Sequence, residues 1–170
     1  SYDGEFRSLA GGTQVYIAVD GTYAGCIMLA DRIKDSAPEA VSNLKKAGIK
    51  TVMLTGDSEE AGKKVAETMG IDMVYTQLLP QDKVSIVEEL LDKKSAKGKL
   101  VFVGDGINDA PALVTAEVGM AIGAGTDIAM ESADVVLMAD SLSGVSNAIR
   151  LSKATVRNIR QNLFWAFFYN

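Results

Sequence analysis

From about residue 31 onward, short apolar runs alternate with segments that carry helix signals. The apolar runs are rich in β-branched residues, and runs of this length flanked by turn residues are typical of buried strands. The predicted strands cover 49–54, 71–75, 99–103, 118–122 and 134–138. The predicted helices cover 36–47, 58–69, 80–94 and 126–132, with further helices starting at about 109 and 141. Strands that alternate with helices pair in parallel, so the pattern predicts a doubly wound α/β sheet.

The first 30 residues follow a different pattern. Residues 13–19 and 22–29 predict two strands joined at Asp20-Gly21, a dipeptide that favours a tight hairpin turn. A domain junction is therefore expected near residue 31. Cys26 is the only cysteine and lies in the second strand, where we expect it to be a small buried hydrophobic residue. A metal–thiolate site with Met28 is the weaker alternative.

The stretch from Gly104 to Pro111, Gly-Asp-Gly-Ile-Asn-Asp-Ala-Pro, follows the predicted strand 99–103 directly. Glycine lets the backbone turn sharply there. Asp105, Asn108 and Asp109 then lie at the carboxyl edge of the sheet, where open α/β folds bind ligands. Their oxygen atoms suit Mg²⁺. The alternative is a turn in which these side chains only cap the next helix.

Two other strand ends carry residues that suit a phosphoryl group. Thr55-Gly56-Asp57 follows strand 49–54, and a hydroxyl beside the start of a helix is a good donor to a phosphoryl oxygen. Lys83 lies near the start of the helix opened by Pro80, where it opposes the helix dipole. Each feature also has an ordinary explanation. Thr55-Gly56-Asp57 is then a βα loop in which Asp57 or Ser58 caps the next helix, and Lys83 is a solvated surface lysine. Together with the aspartates they indicate a phosphoryl-binding site.

Composition excludes several functions. A net charge of −5 and an isoelectric point near 4.8 argue against nucleic-acid binding. The chain has no histidine, so a Ser-His-Asp triad and a histidine metal site are excluded. A single cysteine permits no internal disulfide.

The last twenty residues combine basic and aromatic side chains. Arg150, Lys153, Arg157 and Arg160 precede an apolar run at 163–169. This order is typical of a helix that enters a membrane from the cytoplasmic side, although seven apolar residues cannot span a bilayer. The alternative is an amphipathic helix that packs its aromatic end on the core.

Four segments, in this order and spacing, resemble the heavy-metal-transporting branch of the P-type ATPases. They are Thr55-Gly56-Asp57, residues 79–83, residues 104–113 and residues 118–127. The resemblance extends from about Thr13 to Asn170 and implies a haloacid-dehalogenase-like fold. It implies that residues 1–30 are the C-terminal hairpin of a nucleotide-binding domain and that residues 31–150 are the second part of a phosphorylation domain, with Asp31 at the start of the return hinge. Residues 151–170 would be an amphipathic helix that leads into a transmembrane helix.

The resemblance also implies roles for single residues, with Mg²⁺ and ATP as cofactors. Thr55, with Gly56 and Asp57, would bind the phosphoryl group or nucleotide, and Lys83 would neutralise it. Asp105 would bind Mg²⁺, with Asn108 and Asp109 completing the site.

The ending Tyr169-Asn170 is similar to the copper(I) subgroup, in which such a pair contributes to the transported-metal site. The resemblance thus implies part of an ATP-driven copper(I) efflux pump in the cell membrane, with this segment on the cytoplasmic side. Its partners would be the rest of the same ATPase, the transported ion and the membrane. A zinc or cadmium exporter is the alternative.

The sequence departs from the family in lacking the nucleophile motif Asp-Lys-Thr-Gly-Thr. Asp20-Gly21-Thr22 does not replace it, because the nucleophile position falls on Ala18. In the family fold the nucleophile strand lies between strands 49–54 and 99–103, so we expect a gap there. The missing part of the protein, a second copy or strand 24–29 would fill it. Alone, the chain is expected to be inactive; a dehalogenase-like phosphatase and a non-catalytic Mg²⁺-binding module are the other hypotheses.

Overall fold

Two compact units, Ser1–Lys34 and Asp35–Asn170, make up the computed structural model. The structure describes residues 13–29, 33–105, 107–123, 127–139 and 141–169. Asp31, Gly106 and Asn170 lie outside the described residues.

The first unit is an antiparallel hairpin of β1 (Thr13–Val19) and β2 (Thr22–Leu29), as predicted. Asp20 and Gly21 both adopt positive φ angles, of 50° and 76°, which a two-residue turn between twisted strands requires. Cys26 is exposed, so the expectation that it is buried is wrong. A two-stranded sheet leaves both of its faces open, and alternation along the strand alone cannot bury a side chain.

The second unit alternates strands and helices along the chain. Its strands are β3 (Val52–Leu54), β4 (Met73–Tyr75), β5 (Val101–Gly104), β6 (Val118–Ile122) and β7 (Val135–Leu137). Its α-helices are α1 (Ala37–Lys46), α2 (Glu59–Met69), α3 (Pro80–Lys93), α4 (Ala110–Thr115), α5 (Asp127–Ser132) and α6 (Ser143–Phe168), with a 3₁₀ turn at Ile107–Asp109 before α4. Every strand and helix predicted from the sequence has a counterpart in the structure. β1, β2 and β6 match the predicted bounds, and most of the other elements are shorter by one to three residues.

The strands form two separate parallel sheets, one of β3 and β4 and one in the order β5-β6-β7. Among the described strands, none is hydrogen-bonded between β3 and β5. The two sheets nevertheless share a core, because Leu54 of β3 packs against a cluster of Val87, Phe102, Ala112 and Leu113. The expected gap is therefore present among the described strands, and β2 is hydrogen-bonded only to β1, in a separate two-stranded sheet.

Three carboxylates hold the amino ends of the parallel strand pairs. Each precedes the second strand of a pair and accepts a hydrogen bond from the backbone N–H at the start of the first. Asp72 accepts from Thr51 at 2.8 Å, Glu117 from Leu100 at 2.9 Å and Asp134 from Gly119 at 2.8 Å. Thr51 and Leu100 are the residues directly before β3 and β5, so these two bonds lie where the strands begin.

The helices around the sheets begin and end at the residues that the sequence indicates. Ser58 accepts from the Ala61 N–H, and Gly70 ends α2 in the left-handed conformation. Pro80 starts α3, and the Asp82 carboxylate accepts from the Leu79 N–H at 2.8 Å. These helix ends fix the lengths of the loops between the strands and the helices. They therefore decide which residues lie at the carboxyl ends of the strands.

Helix α6 differs from the others in length and exposure. Val145 near its start is buried, and α6 contacts α1, but side chains from residue 151 onward are exposed apart from the half-buried Ala154. Packing of its aromatic end on the core is thus not observed. Among the helices of the described residues, α6 included, none has the length and apolar character needed to cross a membrane.

Candidate functional site

Polar residues follow the carboxyl ends of β3 and β5. Thr55, Gly56 and Asp57 come directly after β3, and Asp105 comes directly after β5. Parallel strands expose their carboxyl ends at the same side of a sheet, where α/β proteins bind ligands. The candidate residues therefore lie at the carboxyl ends of the two parallel sheets, which we call the rim, whereas the three carboxylates described above lie at the amino ends of the strands.

The loop after β3 is organised by the Thr55 side chain. The Thr55 hydroxyl donates to Oδ2 of Asp57 at 2.8 Å and accepts from the Asp57 N–H at 3.1 Å. Thr55 is half-buried, whereas Asp57 is exposed. The hydroxyl is consequently held at the surface of the rim, in a position from which it can exchange its carboxylate acceptor for a phosphoryl oxygen.

This loop is joined by backbone hydrogen bonds to the segment that enters α3. The Leu78 N–H donates to the Thr55 carbonyl at 3.1 Å, and the Gln77 N–H donates to the Asp57 carbonyl at 2.8 Å. Gln77 has a φ of 57°, a conformation that costs a non-glycine residue on the order of 1 kcal/mol. The strained residue lies two positions before Leu79, so this contact fixes where α3 starts relative to Thr55.

Lys83 lies in the first turns of α3 and pairs with Asp109 at 2.7 Å between Nζ and Oδ1. The two side chains are only 19% and 14% exposed. The lysine is therefore not a solvated surface residue. The Asp109 carboxylate offsets the unfavourable interaction of Lys83 with the helix dipole and holds its positive charge beside the carboxyl end of β5.

Gly104 makes this pair possible. A Cβ atom placed on Gly104 would lie 2.8 Å from both Cβ and Oδ2 of Asp109, closer than such atoms approach. The 3₁₀ turn Ile107–Asp109 thus folds the Asp109 carboxylate back over the last residue of β5. Asp105, directly after β5, and Asn108, within the 3₁₀ turn, are both exposed.

These residues fit a hard cation that is bound together with a phosphate ligand. Among the residues that the structure describes, no three Cys, Asp or Glu side chains form a cluster that could hold a metal ion by themselves. Mg²⁺ uses one or two carboxylates and completes its six ligands with water and substrate phosphates. Asp105 and Asp109, with Asn108 on the same turn, match this donor set in chemistry and number.

The structure thus brings together two pairs of the predicted residues, Thr55 with Asp57 and Lys83 with Asp109. Within the described ranges, no hydrogen bond or ion pair joins one pair to the other. Tyr169 is exposed at the end of α6, far along the chain from this rim.

Sequence reasoning missed Gly62 in the middle of α2. A Cβ atom there would lie 2.4 Å from the Thr76 methyl and 3.2 Å from the Thr55 methyl. The absence of a side chain lets α2 pack closely against the loop that carries Thr55. A glycine within a helical pattern, which costs about 1 kcal/mol relative to alanine, was the signal that could have identified this contact.

Comparison with known proteins places these features in a family. The family model for haloacid dehalogenase-like hydrolases matches residues 3–117. Copper-transporting ATPase 1 of Rhizobium meliloti (strain 1021) is 52% identical over 95% of this chain and 19% of its own length. The cadmium, zinc and cobalt-transporting ATPase of Bacillus subtilis (strain 168) is also 52% identical, over 91% of this chain and 22% of its own length.

A solved structure of a zinc-transporting PIB-type ATPase superimposes with a TM-score of 0.75 and 41% identity, covering 89% of this chain and 24% of that chain. The chain spans about a fifth of the length of the curated relatives that it matches. The family match is consistent with the parallel strands and with the polar residues at their carboxyl ends. The chain belongs to the haloacid dehalogenase-like hydrolase family, and over most of its length it is similar to heavy-metal P-type ATPases.

Proposed function

We propose that this chain supplies the phosphoryl-binding and Mg²⁺-binding residues of an ATP-driven heavy-metal efflux pump. The observation that carries the proposal is the shielded Lys83–Asp109 pair beside the exposed Asp105 at the end of β5. A cation, a carboxylate pair and a hydroxyl at one rim are the groups that phosphoryl transfer requires, because its catalysis depends on positioning and charge neutralisation.

Each residue has a role in this proposal. The Thr55 hydroxyl and the backbone of Gly56 and Asp57 bind phosphoryl oxygens, and Lys83 neutralises their charge. Asp105 and Asp109 hold Mg²⁺ with Asn108 beside them, and the ion, when bound, neutralises negative charge on the phosphoryl group. ATP is the phosphoryl donor in this scheme.

The nucleophile is expected to come from another part of the protein. The 170 residues contain no Asp-Lys-Thr-Gly-Thr segment, and the described strands leave a gap between β3 and β5. The gap favours the pump over a self-contained dehalogenase-like phosphatase, which would need its own nucleophile strand. It also supports the rest of the same ATPase as the partner in an aspartyl-phosphate cycle.

Copper(I) is the transported ion that we propose. Several relatives are named as copper transporters or exporters, and the sequence ends in Tyr169-Asn170. Zinc or cadmium is the alternative, favoured by the equal identity of the Bacillus relative. In the full-length pump, Cu⁺ should stimulate ATP hydrolysis more than Zn²⁺ does, and Tyr169→Phe should weaken the Cu⁺ response. Stronger stimulation by Zn²⁺ would identify the alternative as correct.

The location that we propose is the cell membrane, with this segment on the cytoplasmic side. Support comes from the exposed aromatic residues at the end of α6 and the basic residues before them, an order that matches a helix approaching a bilayer from the cytoplasm.

The test of the proposed function is phosphoenzyme formation by the full-length pump carrying Asp105→Asn. We expect turnover to fall by on the order of 100-fold, because a carboxylate that holds the cation is lost. Asp92→Asn, on the exposed side of α3, is the matched control with the same chemical change. Normal phosphorylation and turnover in Asp105→Asn would remove the assigned role.

A further inference from the structure

The C-terminal part of α6 carries its basic side chains and two of its aromatic side chains along one stripe. The spacings within it are three or four residues throughout, and positions so spaced lie on the same face of a helix. We call the following set the α6 stripe: Arg150, Lys153, Arg157, Arg160, Phe164 and Phe167. The stripe is basic over its first three turns and aromatic over the next two. One face of one helix therefore has a charged end and an apolar end.

The positive charge of the stripe is not balanced by its own helix. No Asp or Glu occurs between Ser141 and Asn170. Ten residues separate Arg150 from Arg160, so four positive charges lie within about 15 Å along the helix axis. Lys153, Arg157 and Arg160 are exposed. This concentration of positive charge contrasts with the net charge of −5 of the whole chain.

The aromatic end of the stripe is as exposed as the basic end. Phe164 is 61% exposed and Phe167 80%, and Trp165, beside them, packs edge-on against Phe164 with ring centroids 5.5 Å apart. A contiguous group of exposed aromatic rings marks a surface that binds an apolar partner.

We propose that the α6 stripe is a docking surface for anionic phospholipids. Its basic side chains bind the headgroup phosphates, while Phe164, Trp165 and Phe167 lie at the level of the upper acyl chains. An anionic bilayer surface has negative charge directly beside an apolar layer, the same order in which the stripe carries basic and then aromatic side chains. The inference rests on the proposed association of α6 with the membrane and adds a lipid class to it.

Trp165 provides a direct readout, because it is the only tryptophan of the chain. The 170-residue chain is titrated with vesicles of phosphatidylcholine alone and with vesicles that also contain phosphatidylglycerol, and the Trp165 emission maximum is followed. We expect a blue shift and tight binding with phosphatidylglycerol, weakened by added salt. The triple variant Lys153→Gln, Arg157→Gln, Arg160→Gln should bind on the order of 100-fold more weakly, at about fivefold per basic side chain.

The matched control is the triple variant Lys46→Gln, Lys64→Gln, Lys97→Gln, which removes the same charge from exposed positions outside α6 and should bind like the parent chain. Equal binding to both vesicle types, or no loss in the α6 variant, would overturn the headgroup proposal and leave membrane association standing. Failure to bind any vesicle would overturn both. A Trp165 shift with soluble glycerol phosphate alone would indicate a phosphate site and also overturn it. None of these outcomes depends on the phosphoenzyme assay.

Discussion

At the scale of single residues, two ion pairs of similar length differ in their exposure to water. Lys83–Asp109 and Lys63–Glu59 have similar N···O distances, 2.7 and 2.6 Å. The first pair is mostly shielded from water, whereas the side chains of the second are 65% and 61% exposed. Water and salt weaken an exposed pair, but a shielded charge that loses its partner stays desolvated. The two pairs should therefore respond very differently to substitution.

A double-mutant cycle tests this difference. Lys83→Met should lower the free energy of unfolding by about 1–3 kcal/mol, since the Asp109 carboxylate is left without its cation. Lys63→Met on the exposed helix face should cost about 0.5 kcal/mol or less. Urea unfolding of both variants, of the matching Asp109→Asn and Glu59→Gln variants, and of both double variants gives the coupling energies. Equal couplings for the two pairs would show that the shielding has no energetic effect.

Glu117 provides a pH test at the residue scale. Its hydrogen bonds from the Leu100 N–H and from Lys99 lower its pKa from 4.5 to about 2. A carboxyl group whose pKa is lowered by folding stabilises the folded state at pH values above its ordinary pKa. This stabilisation disappears as the pH falls through about 2. Glu117→Gln should therefore be less stable than the parent chain at pH 7, and the difference should shrink between pH 4.5 and 2.

The measurement is the free energy of unfolding of both proteins across this pH range. Glu88→Gln, at an exposed position of α3, is the control and should show no such convergence. A constant stability difference for Glu117→Gln at all pH values would mean that the carboxylate charge does not stabilise the amino end of β5.

At the scale of secondary-structure elements, the strands differ in how many of their edges are paired. β6 lies between β5 and β7 and is largely buried, whereas β3 and β5 each have one edge without a partner strand among the described residues. Each backbone N–H or C=O group at such an edge destabilises the folded chain by about 1–3 kcal/mol if it is buried without a hydrogen-bond partner. The same edges are templates for another strand.

Hydrogen exchange resolves this difference strand by strand. In the isolated chain, we expect the amides of residues 52–54 and 101–104 to exchange faster than those of residues 118–122, because only the latter strand is paired on both sides. Mass spectrometry of peptides covering the three strands provides the measurement, with β6 as the internal control. Equal protection of all three strands would mean that another strand, from a second copy or elsewhere in the chain, covers the gap.

At the scale of the whole molecule, the proposed site needs a further strand. In the proposed function, the described residues supply the phosphoryl-binding and cation-binding groups beside the gap between β3 and β5, and the nucleophile motif is absent from the sequence. Because groups that bind a transition state accelerate a reaction only when the reacting group is held beside them, this assembly is expected to bind ligands weakly and to turn over slowly or not at all.

Recombination tests this directly. The purified chain should form no phosphoenzyme from ATP and Mg²⁺. Phosphorylation should appear when a second polypeptide carrying the remaining catalytic segments is added. The same mixture prepared with Lys83→Met should be impaired, which separates restored chemistry from simple association. Steady ATP hydrolysis by the chain alone would contradict the proposed dependence on a partner.

The sequence by itself determined the alternation of strands and helices, the turn at Asp20-Gly21 and the placing of Thr55, Lys83 and Asp105 at strand and helix ends. These follow from local preferences and from the rule that parallel strands share a carboxyl side. Tertiary structure decided that Lys83 pairs with Asp109 over Gly104, that Cys26 is exposed and that Asp72, Glu117 and Asp134 hold the amino ends of the strands. Those outcomes depend on which surfaces meet in space, and residues separated by 15 to 26 positions carry no local signal of their contact.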